Sequence, residues 1–96
     1  MIKIKFNELP VKNIDGTIIK EQWAENIGNI FFRLADNVAE HDLAVKIYHE
    51  TSDGTELSDK EVNILKQKAK ALKYFLQIAI NEAIGQQPQA QEEMIG

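Results

Sequence analysis

The stretch from Ser58 to Gly85, SDKEVNILKQKAKALKYFLQIAINEAIG, is the longest periodic segment of the chain and decides how the rest can fold. Ser58 and Glu61 form the Ser-x-x-Glu pattern of a capping box, which starts a helix. Beyond it, apolar residues recur at alternating steps of three and four, the a/d spacing of a heptad. They are Val62, Leu65, Ala69, Leu72, Leu76, Ala79 and Ala83. The pattern predicts a long final helix, with a break near 69–72 as an open alternative.

A second apolar line runs along a neighbouring face of this helix, through Ile64, Ala71, Phe75 and Ile78. The two lines together make the apolar arc wider than one seam. Such a helix either lies at the centre of a small core or faces both its own core and a partner. Under the second interpretation these four residues are candidate partner-binding residues, and the chain is a homo-oligomer.

The N-terminal region carries the period of a half-buried strand. Ile2, Ile4 and Phe6 alternate with polar residues, and Pro10 interrupts the pattern because proline cannot donate a ladder hydrogen bond. We expect the open edge at Ile2, Ile4 and Phe6 to be a second candidate partner-binding surface, since an open edge can add a strand from another chain.

A turn follows these residues. Asp15-Gly16 lies between β-branched residues and predicts a hairpin with a type I′ turn, in which both central residues have positive φ. Residues 2–20 therefore make two or three short antiparallel strands.

From Glu21 the apolar spacing becomes that of an amphipathic helix, carried by Trp23, Ile27, Ile30, Phe31, Leu34 and Val38. Trp23 and Phe31 are predicted core anchors. Gly28 is either merely tolerated or lets another backbone approach closely. Asn37 and Glu40 resemble a capping box, so a second helix runs from about 39 to 50, unless it continues the first with a kink.

These elements predict an α+β fold: an N-terminal antiparallel β-hairpin or meander packed on two or three α-helices, the last one long. Residues 1–85 form the single domain. Residues 86–96 are polar, rich in glutamine and without period, and are predicted to form a flexible tail.

Composition excludes several classes of function. The 96 residues include 15 acidic and 11 basic side chains, a formal net charge of −4, which disfavours non-specific binding to DNA or anionic lipid. With no cysteine there is no disulfide, thiolate metal site or cysteine nucleophile. No apolar run has the length of a signal-peptide core or of a membrane span, so the sequence predicts neither. We expect a cytoplasmic protein without a membrane partner.

No group of residues indicates catalysis. His41 and His49 are eight apart, about 12 Å along a helix, too far to share one metal. Carboxylate pairs such as Asp36 and Glu40 lie off the apolar stripes, and no Gly-x-Ser-x-Gly, phosphate loop or dinucleotide fingerprint occurs. We expect no enzyme: no catalytic residue, no metal, no cofactor and no small-molecule substrate.

Five lysines lie between residues 60 and 73, and Lys66, Lys70 and Lys73 share one face of the predicted helix. This is either a solvated face or a surface that meets nucleic acid or an acidic protein. Arginine is missing there, and only Tyr74 is available for stacking. A small DNA-binding regulator, with helices two and three as a helix-turn-helix, is therefore the alternative function, although the connection from Glu50 to Leu57 is long for it.

A resemblance in the layout of the sequence favours a different function, protein–protein interaction. The hairpin ending in Asp15-Gly16, the Trp/Ile/Phe helix, the segment HDLAVKIY (41–48) and LSDKE (57–61) before a final helix resemble small proteins encoded among the head and tail genes of bacteriophages and prophages. Tail-assembly chaperones and tail accessory proteins are the nearest named group. The resemblance covers residues 2–85. It implies a non-enzymatic protein–protein interaction or assembly role in the bacterial cytoplasm and assigns no binding residue.

Overall fold

The structure is a computed structural model and describes residues 1–85. Its elements in chain order are β1 (Ile2–Ile4), a 3₁₀ turn (Phe6–Glu8), β2 (Leu9–Lys12), β3 (Ile18–Glu21), α1 (Ala24–Leu34), α2 (Val38–Tyr48), β4 (Thr55–Leu57), α3 (Asp59–Lys68), a second 3₁₀ turn (Ala69–Ala71) and α4 (Tyr74–Gly85). The predicted α+β fold with N-terminal antiparallel strands is confirmed. The predicted flexible tail at 86–96 lies outside the described residues.

The first strand does not join the hairpin but pairs with β4. The pairing is antiparallel, with Ile2 opposite Leu57 and Ile4 opposite Thr55. Ile2, Ile4 and Phe6 are only 8%, 2% and 0% exposed. The prediction that these three residues form a partner-binding surface is therefore wrong for their side chains. The alternation of β1 has a buried side and an exposed side, and the apolar residues occupy the buried one.

The hairpin consists of β2 and β3, paired antiparallel with Val11 opposite Ile19. The predicted turn type is wrong. Gly16 N–H donates to the Asn13 carbonyl at 3.0 Å and Asn13 N–H donates to the Thr17 carbonyl at 2.8 Å. Gly16 has φ of +94°, and within 1–85 no residue other than glycine has positive φ. This is a type I turn followed by a left-handed glycine bulge, which needs one residue with positive φ instead of two.

Helices α1 and α2 are two separate helices packed side by side. Asn37 caps α2 as predicted, its side-chain oxygen accepting the Glu40 N–H at 2.9 Å. A Cβ on Gly28 would lie 2.8 Å from Tyr48 Cβ and 2.9 Å from Tyr48 Cα. Of the two interpretations of Gly28, close approach of another backbone is the one observed.

The predicted long last helix is divided. The capping box at Ser58 is present and α3 begins as expected, but it ends at Lys68. Leu72 is extended, with φ −88° and ψ 165°, and α4 starts at Tyr74. A straight helix from Ser58 to Gly85 would be about 42 Å long, whereas the longest dimension of the described chain is 36 Å. The break keeps both halves on the core, since Leu65, Ala69, Leu72, Leu76 and Ile80 are all buried.

Candidate protein interaction surface

Trp23 and Phe75 meet at the surface, where the start of α1 approaches the start of α4. Trp23 directly precedes α1, and Phe75 lies in the first turn of α4. Their ring centroids are 5.8 Å apart and their planes are inclined by 66°, the edge-to-face arrangement that aromatic pairs prefer. The break between α3 and α4 sets this contact, because it fixes where the first turn of α4 lies.

A groove of about 540 Å³ opens beside the two rings and is called the Trp23 groove below. Its lining comes from the start of α1, from α4 and from the segment between α3 and α4, and includes two polar side chains. The lining residues are Trp23, Asn26, Ile30, Ala71, Leu72, Lys73, Phe75 and Leu76. The indole N–H of Trp23 is buried and meets no acceptor among residues 1–85, so apolar contacts alone hold the ring.

Helix α4 is apolar on two sides. One side, with Leu76, Ala79 and Ile80, is buried in the core. Outside it, Phe75 is 39% exposed and Ile78 is 41% exposed. Single exposed apolar residues are ordinary on protein surfaces, but a group of them beside an apolar concavity is typical of an interaction site.

The structure separates the four predicted contact residues of the last helical segment. Ala71 and Phe75 both line the Trp23 groove, and Ile78 is exposed one turn further along α4. Ile64 is partly buried and packs against the core, so it offers little surface. Phe31 is a buried core anchor as predicted, at 1% exposure. Trp23 is only partly buried, and its position in the groove was missed because the heptad pattern says nothing about where α1 starts.

A second, shallower apolar hollow of about 210 Å³ lies on the outer side of α1 and α2, between Phe32, Val45 and Tyr48. The His41 ring lies against Phe32 and the His49 ring against Tyr48, each with centroids 5.1 Å apart. Within residues 1–85 no group of three or more His, Cys, Asp or Glu side chains is placed to hold a metal ion. The adjacent pair Phe31-Phe32 is the sequence signal for this hollow, because Phe31 is buried in the core while Phe32 is 52% exposed.

Glu50 is a hydrogen-bonding position that the sequence pattern did not single out. Its carboxylate accepts the N–H groups of Phe6 and Asn7, each at 2.9 Å, and the Thr55 hydroxyl at 2.6 Å. Asn7 in turn accepts the Ala24 N–H at 3.0 Å, which caps α1. Glu50 thus fastens the turn after β1 to β4 and, through Asn7, to α1. Because the Glu50 carboxylate already accepts three hydrogen bonds, we assign it a structural role.

The predicted basic surface is distributed over three segments. Lys66, Lys70 and Lys73 are all exposed, but they lie on α3, on the second 3₁₀ turn and before α4. The prediction that they share one helix face is therefore wrong, because the helix is interrupted between them.

Lys68 has a structural contact instead. Its Nζ donates to the Leu34 carbonyl at 3.1 Å and pairs with Glu40 at 3.0 Å, which ties the end of α1 to α2 and α3. The hydrogen bond to Glu40 raises the pKa of Lys68. The pKa of Glu40 is lowered, first by the hydrogen bond that it accepts from the Asp36 N–H and second by the hydrogen bond from Lys68.

The helix-turn-helix geometry of the alternative function is not found between α2 and α3. α2 ends at Tyr48 and α3 begins at Asp59, and the connection contains β4. A helix-turn-helix joins its helices by a turn of about three or four residues.

The chain has no counterpart in the comparisons with known proteins: no family model, no curated protein and no solved structure matches it. Among residues 1–85, no helix combines the length and apolar character needed to span a bilayer. The fold and surface define a small α+β domain that carries an apolar groove.

Proposed function

We propose that this protein is a non-enzymatic protein–protein interaction or assembly protein that receives a partner in the Trp23 groove. The observation that carries the proposal is the groove together with the half-exposed Phe75 and Ile78 beside it. Aromatic side chains are enriched in protein interfaces, and tryptophan is among the few residues that carry most of the binding energy. Trp23 and Phe75 have that chemistry, and their edge-to-face contact already orders both rings.

The setting of this function is the one that the sequence layout implies. A role in the cytoplasm during assembly of a phage or prophage tail needs a small protein that binds another polypeptide without transforming it. A groove whose lining is mostly apolar but includes Asn26 and Lys73 fits such a partner, because interfaces combine apolar and polar groups.

The test compares three forms of the full chain as bait in lysate of the cells that produce it. They are the wild type, the double variant Phe75→Ser/Ile78→Ser and the control Val38→Ser, which removes an exposed apolar residue outside the groove. We expect the wild type and the control to retain the same specific proteins and the double variant to lose them, with unchanged circular dichroism. Identical capture by all three folded forms would refute a groove-bound partner.

A further inference from the structure

Strand β3 differs from the other strands in that every residue of it is exposed. Ile18 is 64% exposed and Ile19 is 40% exposed, although isoleucine is normally a core residue. Within residues 1–85, β3 has one strand neighbour, β2. A two-stranded hairpin is only marginally stable in water, and added strands improve it.

The ladder pattern identifies which backbone groups of β3 face outward. Asn13 and Thr17 are joined by a hydrogen bond at the turn, and antiparallel pairs alternate between hydrogen-bonded and non-bonded. Val11 and Ile19 are therefore a hydrogen-bonded pair, whereas Ile18 and Lys20 direct their N–H and C=O groups away from β2. The corresponding outward position on β2 is Pro10, which has no N–H. The edge of the hairpin that can accept a strand is thus β3.

We propose that β3 pairs antiparallel with β3 of a second copy of this chain, about a two-fold axis at Ile19. The outward N–H and C=O groups of the two copies can form hydrogen-bonded pairs in three registers. Ile18 lies opposite Lys20 in the first, Ile18 opposite Ile18 in the second, and Lys20 opposite Lys20 in the third. The first register forms two hydrogen-bonded pairs and places no like charges opposite each other. It also brings the two Ile19 side chains together on the face that Leu9 and Val11 share.

The position of α4 is compatible with this four-stranded sheet. Helix α4 packs on β2, and Ile19 is half uncovered on the same side of the hairpin. In the order β2-β3-β3-β2 the two β2 strands are three strand spacings apart, about 14 Å. This separation exceeds the 8–10 Å between the axes of packed helices, so the two α4 helices do not by themselves exclude the pairing. The pairing covers four residues of each strand, so we expect a weak, concentration-dependent dimer.

This inference deepens the proposed function by naming a second copy as one partner, but it uses a different surface. The chain contains no cysteine, so single cysteines report the register directly. Residues in a non-hydrogen-bonded antiparallel pair have Cα atoms about 4.5 Å apart, within the range of a disulfide. Ile19→Cys should therefore form a disulfide-linked dimer under mild oxidation. Lys20→Cys is the matched control. In the proposed register the residues 20 of the two copies are not opposite each other, and their Cα atoms are farther apart than a disulfide spans.

A charge variant gives an independent test. Ile18→Glu, in the Ile19→Cys background, places a carboxylate opposite Lys20 of the other copy, and Ile18→Lys places an ammonium group there. We expect Ile18→Glu to speed cross-linking a few-fold and Ile18→Lys to slow it. The net charge of −4 predicts the opposite order if encounters are non-specific, because added acidity then increases repulsion.

The outcomes separate the two proposals. The inference is supported if Ile19→Cys cross-links at least about tenfold faster than Lys20→Cys and the charge variants follow the expected order. Equal rates for the two cysteine variants, or faster linking by Ile18→Lys, overturn it.

Phe75→Ser/Ile78→Ser should leave the Ile19→Cys dimer unchanged. If the groove variant abolishes cross-linking, the copies meet at the groove and the β3 pairing is wrong, while the proposed function stands. If the groove variant keeps its captured partners and Ile19→Cys still links, the proposed function fails and the β3 pairing stands.

Discussion

The β1–β4 pair and the β2–β3 hairpin are both two-stranded and both rich in isoleucine, yet one is buried and the other is largely exposed on its outer strand. In β1 the sequence Ile-Lys-Ile alternates, so both isoleucines reach the core. In β3 the sequence Ile-Ile-Lys-Glu does not alternate, and successive side chains of a strand point to opposite faces. One isoleucine of β3 must therefore face away from the domain. In this molecule the alternating strand β1 contributes to the core, and the non-alternating strand β3 is exposed.

The largest test of this contrast is removal of one apolar side chain from each region. Phe6 begins the 3₁₀ turn after β1 and is fully buried, so Phe6→Ala should lower the free energy of unfolding by about 3–5 kcal/mol. Ile18→Ala, on the exposed strand, should change it by less than about 0.5 kcal/mol. Urea denaturation followed by circular dichroism measures both values. Equal losses in the two variants would mean that β3 belongs to the core.

The next effect concerns the polar fastening of the β1–β4 pair. Glu50→Ala leaves the N–H groups of Phe6 and Asn7 and the Thr55 hydroxyl without their acceptor. Because hydrogen bonds to a charged group contribute more than neutral ones, we expect a loss of about 2–3 kcal/mol in the free energy of unfolding. Glu50→Gln retains one acceptor oxygen and should lose less. Glu56→Ala, an exposed carboxylate on β4, is the control, and a loss as large as that of Glu50→Ala would contradict a specific role for Glu50.

Local features of the fold were predictable from the sequence because each depends on neighbours in the chain. The capping box at Ser58, the Asn37 cap, the hairpin at Gly16 and the amphipathic α1 all follow from spacings of one to four residues. The partner of β1 did not follow, since β4 lies some fifty residues further along the chain, and a long-range pairing leaves no local pattern. The division of the last helix was predicted only as an open alternative near 69–72, because no glycine or proline marks it.

The candidate site was predictable only in part for the same reason. Phe75, Ala71 and Ile78 were identified as apolar residues beyond the needs of one seam, and all three are outside the buried core. Trp23 could not be added to them, because its contact with Phe75 depends on the break between α3 and α4. The open strand edge was predicted at β1, and the structure places an exposed edge at β3, where Ile18 and Ile19 are adjacent.

The smallest expected effect is a pH dependence of the β2–β3 hairpin that the β1–β4 pair does not share. The turn of the hairpin is closed by Asp15, whose carboxylate accepts the Thr17 N–H at 3.0 Å and the Thr17 hydroxyl at 2.7 Å. These hydrogen bonds, the one from the backbone first, lower the pKa of Asp15 below its ordinary value of 3.8. The stabilisation is therefore complete above pH 3.8 and is lost as the pH falls through the lower pKa of the folded chain.

We expect acidification in that range to shift the Thr17 amide resonance and to speed its hydrogen exchange, while the amides of β1, which is paired with β4, change less. Asp15→Asn keeps a side-chain acceptor that does not titrate over this range, so it should remove the pH dependence at Thr17 and leave the hairpin in place. The expected change is small because the turn is fully exposed to solvent, where a charged hydrogen bond gains little over water. A Thr17 resonance that titrates equally in Asp15→Asn would show that another group controls the turn, and the hairpin would then respond to acid with the rest of the domain.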